Sequence, residues 1–145
     1  MSLSVAQVGD YYILDFNMVA GTPLAAYVAG TPTGGPAKGH LLVRDTSTGP
    51  NVWDFAADTE PPVGFLEQDN RLGGIITLAL LVPGVQLILP TSAAGGAIAL
   101  GDKVVATGAV DSTTGRSVVK KDNTNGVGRV NAINPAGTNT ASVVF

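Results

Sequence analysis

The chain has 145 residues, of which 13% are charged, and a net charge of −3. Its eight Lys and Arg are scattered, apart from Lys120-Lys121, so no basic stripe is present and nucleic acid is excluded as a partner. The absence of cysteine excludes disulfides and thiolate chemistry. Since an ordinary globular protein has roughly a quarter charged residues, we expect part of this surface to be covered by other protein.

Residues 1–39 differ in composition from the rest of the chain. Two strand-like pieces, 11–14 and 24–28, are followed by residues 30–39, in which Gly, Pro and Thr dominate. All three tyrosines lie in this region, and tyrosine offers a large contact area with one polar group. We predict an extended arm and linker, whose strand either lies as an edge strand on the domain's own sheet or is lent to a partner. The predicted arm contacts are Tyr11, Tyr12, Ile13, Leu14 and Tyr27.

From residue 40 onward the pattern is that of β-strands. The predicted strands are 41–44, 52–55, 63–67, 75–82, 85–89, 103–106, 117–120, 128–133 and 141–145, each bounded by Gly, Pro, Asn or Asp. No window of helical period with a cap is present. Short strands at this spacing predict an all-β fold, a small β-barrel or β-sandwich, in one domain of residues 40–145.

An internal repeat organises this domain. The turn Asp45-Thr46-Ser47-Thr48-Gly49 returns as Asp111-Ser112-Thr113-Thr114-Gly115, 66 residues later, while Val63-Gly64 returns as Val127-Gly128, 64 residues later. A nearly constant offset indicates two related β-meanders, about residues 40–81 and 102–145, joined by a hairpin and a loop. In each turn Asp is expected to bond its own backbone and Gly to take the left-handed position. The structural turn residues are therefore Asp45, Gly49, Asp111 and Gly115.

The run 74–89 is almost entirely apolar. It is shorter than the ~20 residues that a bilayer requires and contains Pro83-Gly84, so it predicts a hairpin of strands 75–82 and 85–89, with no membrane partner. Both faces of these strands are apolar, which indicates burial on two sides. One side is the core, and the other is either a neighbouring subunit or the same chain. The predicted subunit-interface residues are Ile76, Leu78, Leu80, Val85 and Leu87.

The sequence offers no pattern for a metal, a cofactor or a nucleophile. His40 is the only histidine, and its neighbours supply no ligand. No Gly-x-Ser-x-Gly is present, and residues 34–41 have His40 and Leu41 where a phosphate loop needs Lys and Ser or Thr. Residues 122–126 have one carboxylate of a calcium loop and are interpreted as a turn. We predict no catalytic residues, no metal site and no cofactor.

Two further features leave alternatives open. Glu60, Glu67, Asp58 and Asp69 surround a Pro-Pro corner, and no pair stands out as the two carboxylates of a glycosidase or another small hydrolase. Trp53, the single tryptophan, is interpreted as a packing anchor, the alternative being a platform on which a sugar stacks.

Several motifs resemble those of a known family. The residues are 40–49 (HLLVRDTSTG), Val52-Trp53-Asp54, 62–66 (PVGFL), Pro83-Gly84-Val85 and Leu89-Pro90, then 100–104 (LGDKV) and 127–130 (VGRV). In this order they resemble the head decoration proteins of lambdoid phages and, in the later part, the wider group of phage capsid-associated β-proteins. The resemblance covers about 100 residues, and residues 1–39 and 75–81 depart from it.

This resemblance implies a β-tulip-like fold and a structural function without enzymatic activity. Such proteins are made in the host cytoplasm and decorate the outer surface of the virion, often as homotrimers at three-fold positions, where they bind the major capsid protein and brace the head. Their N-terminal arm often adds a strand to the capsid protein. The alternative function is a receptor- or glycan-binding β-module of a phage tail or surface assembly, which predicts that Trp53 or the tyrosines are exposed.

Overall fold

The structure is a computed structural model that describes residues 4–8, 11–21, 39–49, 51–67 and 75–145. In this part of the chain the protein is all-β, as predicted, with one short 3₁₀ turn at Ala93–Gly95. The strands are β1 (Ser4–Val8), β2 (Tyr11–Ala20), β3 (Leu41–Arg44), β4 (Val52–Phe55), β5 (Gly64–Leu66), β6 (Ile75–Leu80), β7 (Gln86–Ser92), β8 (Lys103–Val110), β9 (Ser117–Lys121), β10 (Gly128–Ile133) and β11 (Thr140–Val144).

The first six strands form one curled sheet, the N-terminal sheet. Its order is β1-β2-β4-β3-β5-β6, and β2 also pairs with β6, so five of its strands pair in a ring. The pair β2–β4 is parallel and the others are antiparallel. The Asp45 turn joins β3 to β4, where Asp45 donates its N–H to the carbonyl of Val52.

The last five strands form a closed barrel, the C-terminal barrel, in the order β10-β11-β7-β9-β8. The pair β7–β9 is parallel and the other four are antiparallel. Gly128 begins β10 at a close approach: a Cβ there would lie 2.4 Å from Val143 Cγ1, so only glycine fits without a shift of its neighbours. The barrel confirms the predicted fold class.

The two units share one pairing scheme. In order along the chain, β2 to β6 pair with one another as β7 to β11 do, with the first and third strands parallel in each unit. Two units of short strands with the same order of pairing are what duplication of a β-meander produces. The correspondence includes β2 and β7, which lie outside the two segments whose sequences repeat. The division at residue 39 and the repeat boundaries stay predictions.

The connection around Pro83-Gly84 differs from the predicted hairpin. β6 pairs with β5 and β2, whereas β7 pairs with β11 and β9, so the turn passes the chain from the sheet to the barrel. Gly84, at φ +96°, donates its N–H to the carbonyl of Phe145, which fixes the turn to the last strand. The hairpin is thus corrected to a crossing between units. No helix in the described part of the chain is long and apolar enough to cross a membrane.

Two clusters of buried side chains form the core. The larger fills the barrel and extends to one face of the N-terminal sheet, and Leu41, Phe65 and Leu89 in it are fully buried. The smaller lies on the other face of the same sheet and contains Leu42, Trp53, Leu66, Ile76 and Leu78. Alternation along β3 places Leu41 in one cluster and Leu42 in the other. The N-terminal sheet is therefore buried on both faces.

Backbone and side-chain hydrogen bonds join the two units. Leu41 donates its N–H to Ser117 Oγ at 2.9 Å in a buried position, and Thr59 donates to the carbonyl of Ala106 at 3.1 Å. Gly108, at φ +75°, lies beside residue 58, where a Cβ would meet the Asp58 nitrogen at 3.0 Å. These contacts hold the sheet and the barrel in one arrangement.

Part of the predicted arm belongs to the N-terminal sheet. Residues Tyr11–Ala20 form β2, which pairs with β4 and β6, and Ser4–Val8 form β1 at the edge of the same sheet. β2 lies on the domain's own sheet, as in the alternative given for the arm, but inside the sheet rather than at its edge. Residues 22–38 lie outside the described part.

Candidate functional site

The two repeated turns bind their own backbone through aspartate. Asp45 Oδ1 accepts from the N–H of Ser47 at 3.0 Å and from its hydroxyl at 2.6 Å, and Asp45 Oδ2 accepts from Thr48 Oγ1 at 2.5 Å. Asp111 Oδ2 accepts from the N–H and the hydroxyl of Thr114, both at 2.7 Å. These hydrogen bonds favour the ionised form and hold the pKa of each carboxyl below its usual value.

The glycines of the two turns are not equivalent. Gly115 has φ +68° and donates its N–H to the carbonyl of Asp111 at 2.8 Å, whereas Gly49 is not among the described glycines with positive φ. The expected left-handed glycine is thus present in the second turn and not in the first.

Residues 122–126 form a third turn of the same kind. Asp122 Oδ1 accepts from the N–H groups of Thr124 at 3.0 Å and Asn125 at 2.9 Å, which lowers the pKa of the carboxyl. Its oxygens are therefore directed at its own loop. Nowhere in the described ranges do three His, Cys, Asp or Glu side chains gather in a group that could hold a metal ion.

His40 lies between the N-terminal sheet and the C-terminal barrel. Its ring is 1% exposed and stacks on Phe55, with centroids 3.8 Å apart and planes at 17°. It also hydrogen-bonds the backbone of Gly115, the glycine of the second Asp turn. Burial lowers the pKa of His40 to about 4, so the imidazole is neutral at pH 7. The residue packs between the two units.

Trp53 and the described acidic residues of the Pro-Pro corner make packing contacts, ion pairs and hydrogen bonds within the chain. Trp53 is 5% exposed and packs in the smaller core cluster, so it does not form an open platform for a sugar. Asp58 pairs with Lys120 of β9 at 2.6 Å, and Glu60 accepts from the N–H of Ala57 at 3.0 Å. Asp69 lies outside the described residues.

The predicted interface residues are placed mainly inside the chain. Ile76, Leu78 and Val85 are fully buried, Leu87 is buried, and Leu80 is half-buried. This burial within one chain agrees with the intramolecular alternative for the two apolar faces. Of the predicted arm contacts, Tyr11, Tyr12, Ile13 and Leu14 lie in β2, where the side chains are not described, and Tyr27 lies outside the described residues.

Other apolar side chains are exposed instead. Among the residues whose burial is described, the exposed large apolar ones are Leu100 (67%), Val63 (47%), Val127 (43%), Ile133 (40%) and Ile88 (36%). Four of them lie in or beside the C-terminal barrel, and Val63 precedes β5. Sequence reasoning missed Ile88 because it stands between buried Leu87 and Leu89, and only the pleat decides which neighbours face outward. Leu100 and Ile133 have no buried neighbour in the sequence.

A cleft of mixed polar and apolar lining lies at one end of the barrel. Thr91, Asn139 and Thr140 line two adjoining hollows of about 280 and 390 Å³. The remaining walls combine hydroxyl and amide groups with apolar side chains such as Ile98 and Ile133, and Asp111 is the one acidic residue in the lining. No aromatic side chain is among the lining residues, so the cleft lacks a surface on which a sugar ring would stack.

Arg116 also makes a contact that sequence reasoning missed. It follows Gly115 and donates from Nη1 to the carbonyl of Ile88 at 2.9 Å. This contact is made on the side of β7 that faces away from β11. Gly39, Gln86, Leu87, Ile88 and Arg116 surround a hollow of about 220 Å³.

Comparison with known proteins adds no relative. No family model matches the sequence, and neither a curated protein nor a solved structure does. A function for this chain is therefore inferred from its own residues.

Proposed function

We propose that this chain is a structural virion protein that decorates and stabilises an icosahedral phage head by binding the major capsid protein. The proposal is carried by the motifs between His40 and Val130 that resemble those of head decoration proteins. They occupy turns and strands of an all-β body, including the Asp45 turn, β5 and β10. A function of this kind depends on surfaces and rigidity rather than on a reactive group.

The surface supports contact with other protein. Charged residues make up 13% of the chain, and five large apolar side chains are exposed in the described part. Apolar groups gain free energy when a partner removes them from water, at about 25 cal/mol per Å². A sparse charge pattern also lowers the desolvation cost of covering such a surface.

The core supports a bracing role. The larger cluster contains Phe65 and Ala79 of the N-terminal sheet together with Leu89 and Val143 of the barrel. A buried hydrogen bond from Leu41 to Ser117 crosses the same boundary. Because both units share one core, a load applied to one is carried by the other rather than by a flexible linker.

Trimers at three-fold positions, with the N-terminal region in contact with the capsid protein, complete the proposal. Three copies at one site would each make contacts that are weak alone, and linked contacts raise overall avidity by about 10²–10⁴. The proposed location is the outer surface of the virion.

The test is co-sedimentation of the purified protein with empty, expanded heads of its phage that lack it. Saturation at a multiple of three copies per head site is expected. Absence of saturable binding would contradict the proposal. Two variants define the surface: Leu100→Asp charges the most exposed large apolar side chain, and Ser112→Asp adds the same charge at an exposed polar position. Weaker binding of the first alone would assign Leu100 to the capsid contact.

A further inference from the structure

The shared pairing scheme makes one difference between the two units visible. On β2, β6 occupies one side along Ile13–Val19, while the other side is covered by β1 along residues 11–15 and by β4 at Val19-Ala20. β1 thus covers the half of β2 that precedes the parallel pair. It is the one strand of the N-terminal sheet without a counterpart in the barrel.

The matching half of β7 has one side without a described strand. β11 pairs with β7 along residues 86–90, and β9 pairs on the other side only at Thr91 and Ser92. Across the part of the chain that the structure describes, no strand pairs with Gln86–Pro90 on the side away from β11. Among the described residues this segment is therefore an unpaired edge of the barrel, called the free edge below.

Hydrogen bonds at both ends of β7 show which groups face the free edge. Val85 accepts from the N–H of Phe145, and Thr91 donates to the carbonyl of Asn139, so the odd-numbered residues bond towards β11. Gln86 and Ile88 then direct their backbone groups outward, and the side chains of both are exposed.

Two features at this edge resemble protection against uncontrolled pairing. Arg116 occupies the carbonyl of Ile88, and Pro90 has no N–H to offer. Proteins limit pairing at open edges in this way. The N–H groups of Gln86 and Ile88 are the donors that the alternation leaves for an incoming strand.

We propose that the free edge of β7 pairs with the outer edge of β1 from a second copy of this chain. β1 is the end strand of its sheet, and both it and the free half of β7 are five residues long. Its sequence, SVAQV, has neither charge nor proline, so it lacks the common blocks to edge pairing. Within one chain, β1 already fills the matching position on β2.

The short connection between β1 and β2 decides how β1 is used. Only residues 9 and 10 separate the two strands, whose register pairs Val8 with Tyr11. A connection of this length keeps β1 on its own β2, so the neighbour receives the opposite edge rather than an exchanged strand. The N-terminal sheet of one copy then continues into the barrel of the next.

This contact joins two different surfaces and is therefore head-to-tail. Such contacts close into a ring or continue as a filament, according to the rotation between copies. Only the number of copies in the ring, three, is taken from the proposed function, and the edge contact itself does not depend on it. Arg116 releases the Ile88 carbonyl, or shares it, when the neighbour's strand arrives.

Disulfide trapping tests the contact, because the chain has no cysteine of its own. Ile88→Cys is mixed, under oxidising conditions, with each of Val5→Cys, Ala6→Cys and Gln7→Cys carried on a chain of different mass. At least one mixture should yield a mixed disulfide dimer on a non-reducing gel. Leu100→Cys, exposed in the connection between β7 and β8 and outside the free edge, is the matched control and should give no mixed dimer above the random background.

Proline substitution tests the backbone itself. Ile88→Pro removes an outward N–H without removing a bond to β11, and Ile88→Thr keeps the N–H while it removes the apolar side chain. Analytical ultracentrifugation should show self-association weakened at least tenfold by proline and much less by threonine. An unchanged circular dichroism spectrum, which reports both units, would show that each variant is folded.

The results separate this inference from the proposed function. If no mixed disulfide forms and Ile88→Pro associates as the unsubstituted protein does, the edge contact is wrong, even where the protein binds heads. If the disulfide forms and proline weakens association, the contact stands, even where the protein fails to bind heads.

Discussion

The N-terminal sheet and the C-terminal barrel have the same strand pairing but divide their buried surface differently. The barrel pairs β7 with β11 without interruption, while β2 and β6 change register between Leu14 and Met18. The barrel shares its buried cluster with the sheet, and the sheet has a second cluster on its other face. One topology therefore supports two roles: a barrel closed on itself and a sheet that packs on both sides.

The largest expected effect comes from the cluster that both units share. Phe65→Ala should lower the free energy of unfolding by about 3–5 kcal/mol, because Phe65 is fully buried between sheet and barrel. The control, Val63→Ala, removes an exposed side chain of the same segment and should change it by about 0.5 kcal/mol or less. Urea unfolding is followed by Trp53 fluorescence, which reports the sheet, and by circular dichroism, which reports both units. Two separate transitions in the unsubstituted protein would show that the units unfold independently.

The next effect concerns pH and the histidine between the units. His40 has a pKa of about 4 in the folded chain against 6.5 unfolded, so the unfolded chain takes up the proton first. The free energy of unfolding should fall by about 3 kcal/mol as the pH drops from about 6.5 to 4. Below pH 4 the contribution of His40 should not change further.

The control for this effect is His40→Leu, which cannot titrate and should show no such loss between pH 6.5 and 4. Asp45, Asp102, Asp111 and Asp122 have folded pKa values below their usual value, so their loss of stabilisation comes chiefly below pH 4, in both proteins. Urea unfolding at several pH values measures the difference. Parallel curves for the two proteins would contradict the assignment to His40.

A smaller effect separates the two repeated turns. Gly115→Ala should destabilise the protein by about 1–2 kcal/mol, because φ at Gly115 is +68° and a Cβ is strained there. Gly49→Ala should cost about 0.5 kcal/mol or less, because its backbone is not in that region and the nearest atom, Val52 Cγ2, belongs to a side chain that can shift. Thermal unfolding compares them. Equal costs would mean that the two turns have the same conformation in solution.

The smallest effect is expected at the ion pair between the units. Lys120→Met breaks the contact with Asp58 and should cost less than about 1 kcal/mol, since the Asp58 side chain is 60% exposed. The loss should shrink as salt is added, because salt screens exposed charges. The cost is compared with that of Lys121→Met, which breaks an ion pair with Asp102 between two residues of the barrel unit. A cost of Lys120→Met that does not depend on salt would indicate that the methylene groups, not the charge, join the units.

Strand positions could be read from the sequence because they depend on local pattern. The predicted strands 41–44, 52–55 and 128–133 have the bounds that the structure gives, and the Asp turns bond their own backbone as expected. The hairpin around Pro83-Gly84 could not be predicted correctly, since a turn signal fixes where the chain reverses but not which strand lies beside it.

The candidate interaction surfaces were the hardest to predict. Ile76 and Leu78 look like interface residues in a run that is apolar on both faces, yet the chain itself covers both faces. Ile88, in contrast, stands between buried Leu87 and Leu89 and is exposed. Its exposure follows from the place of β7 in the barrel, where the side chains of Leu87 and Leu89 point into the core and that of Ile88 points outward.

The sequence by itself determined the all-β class, the strand positions and the repeated turns, because alternation and turn chemistry act within a few residues. Only the tertiary structure decided that the two meanders share a core, that His40 lies between them and that no described strand pairs with one half of β7 on the side away from β11. These features depend on contacts between residues far apart in the chain, such as Leu41 with Ser117, and their free energies are gained only when the whole fold forms.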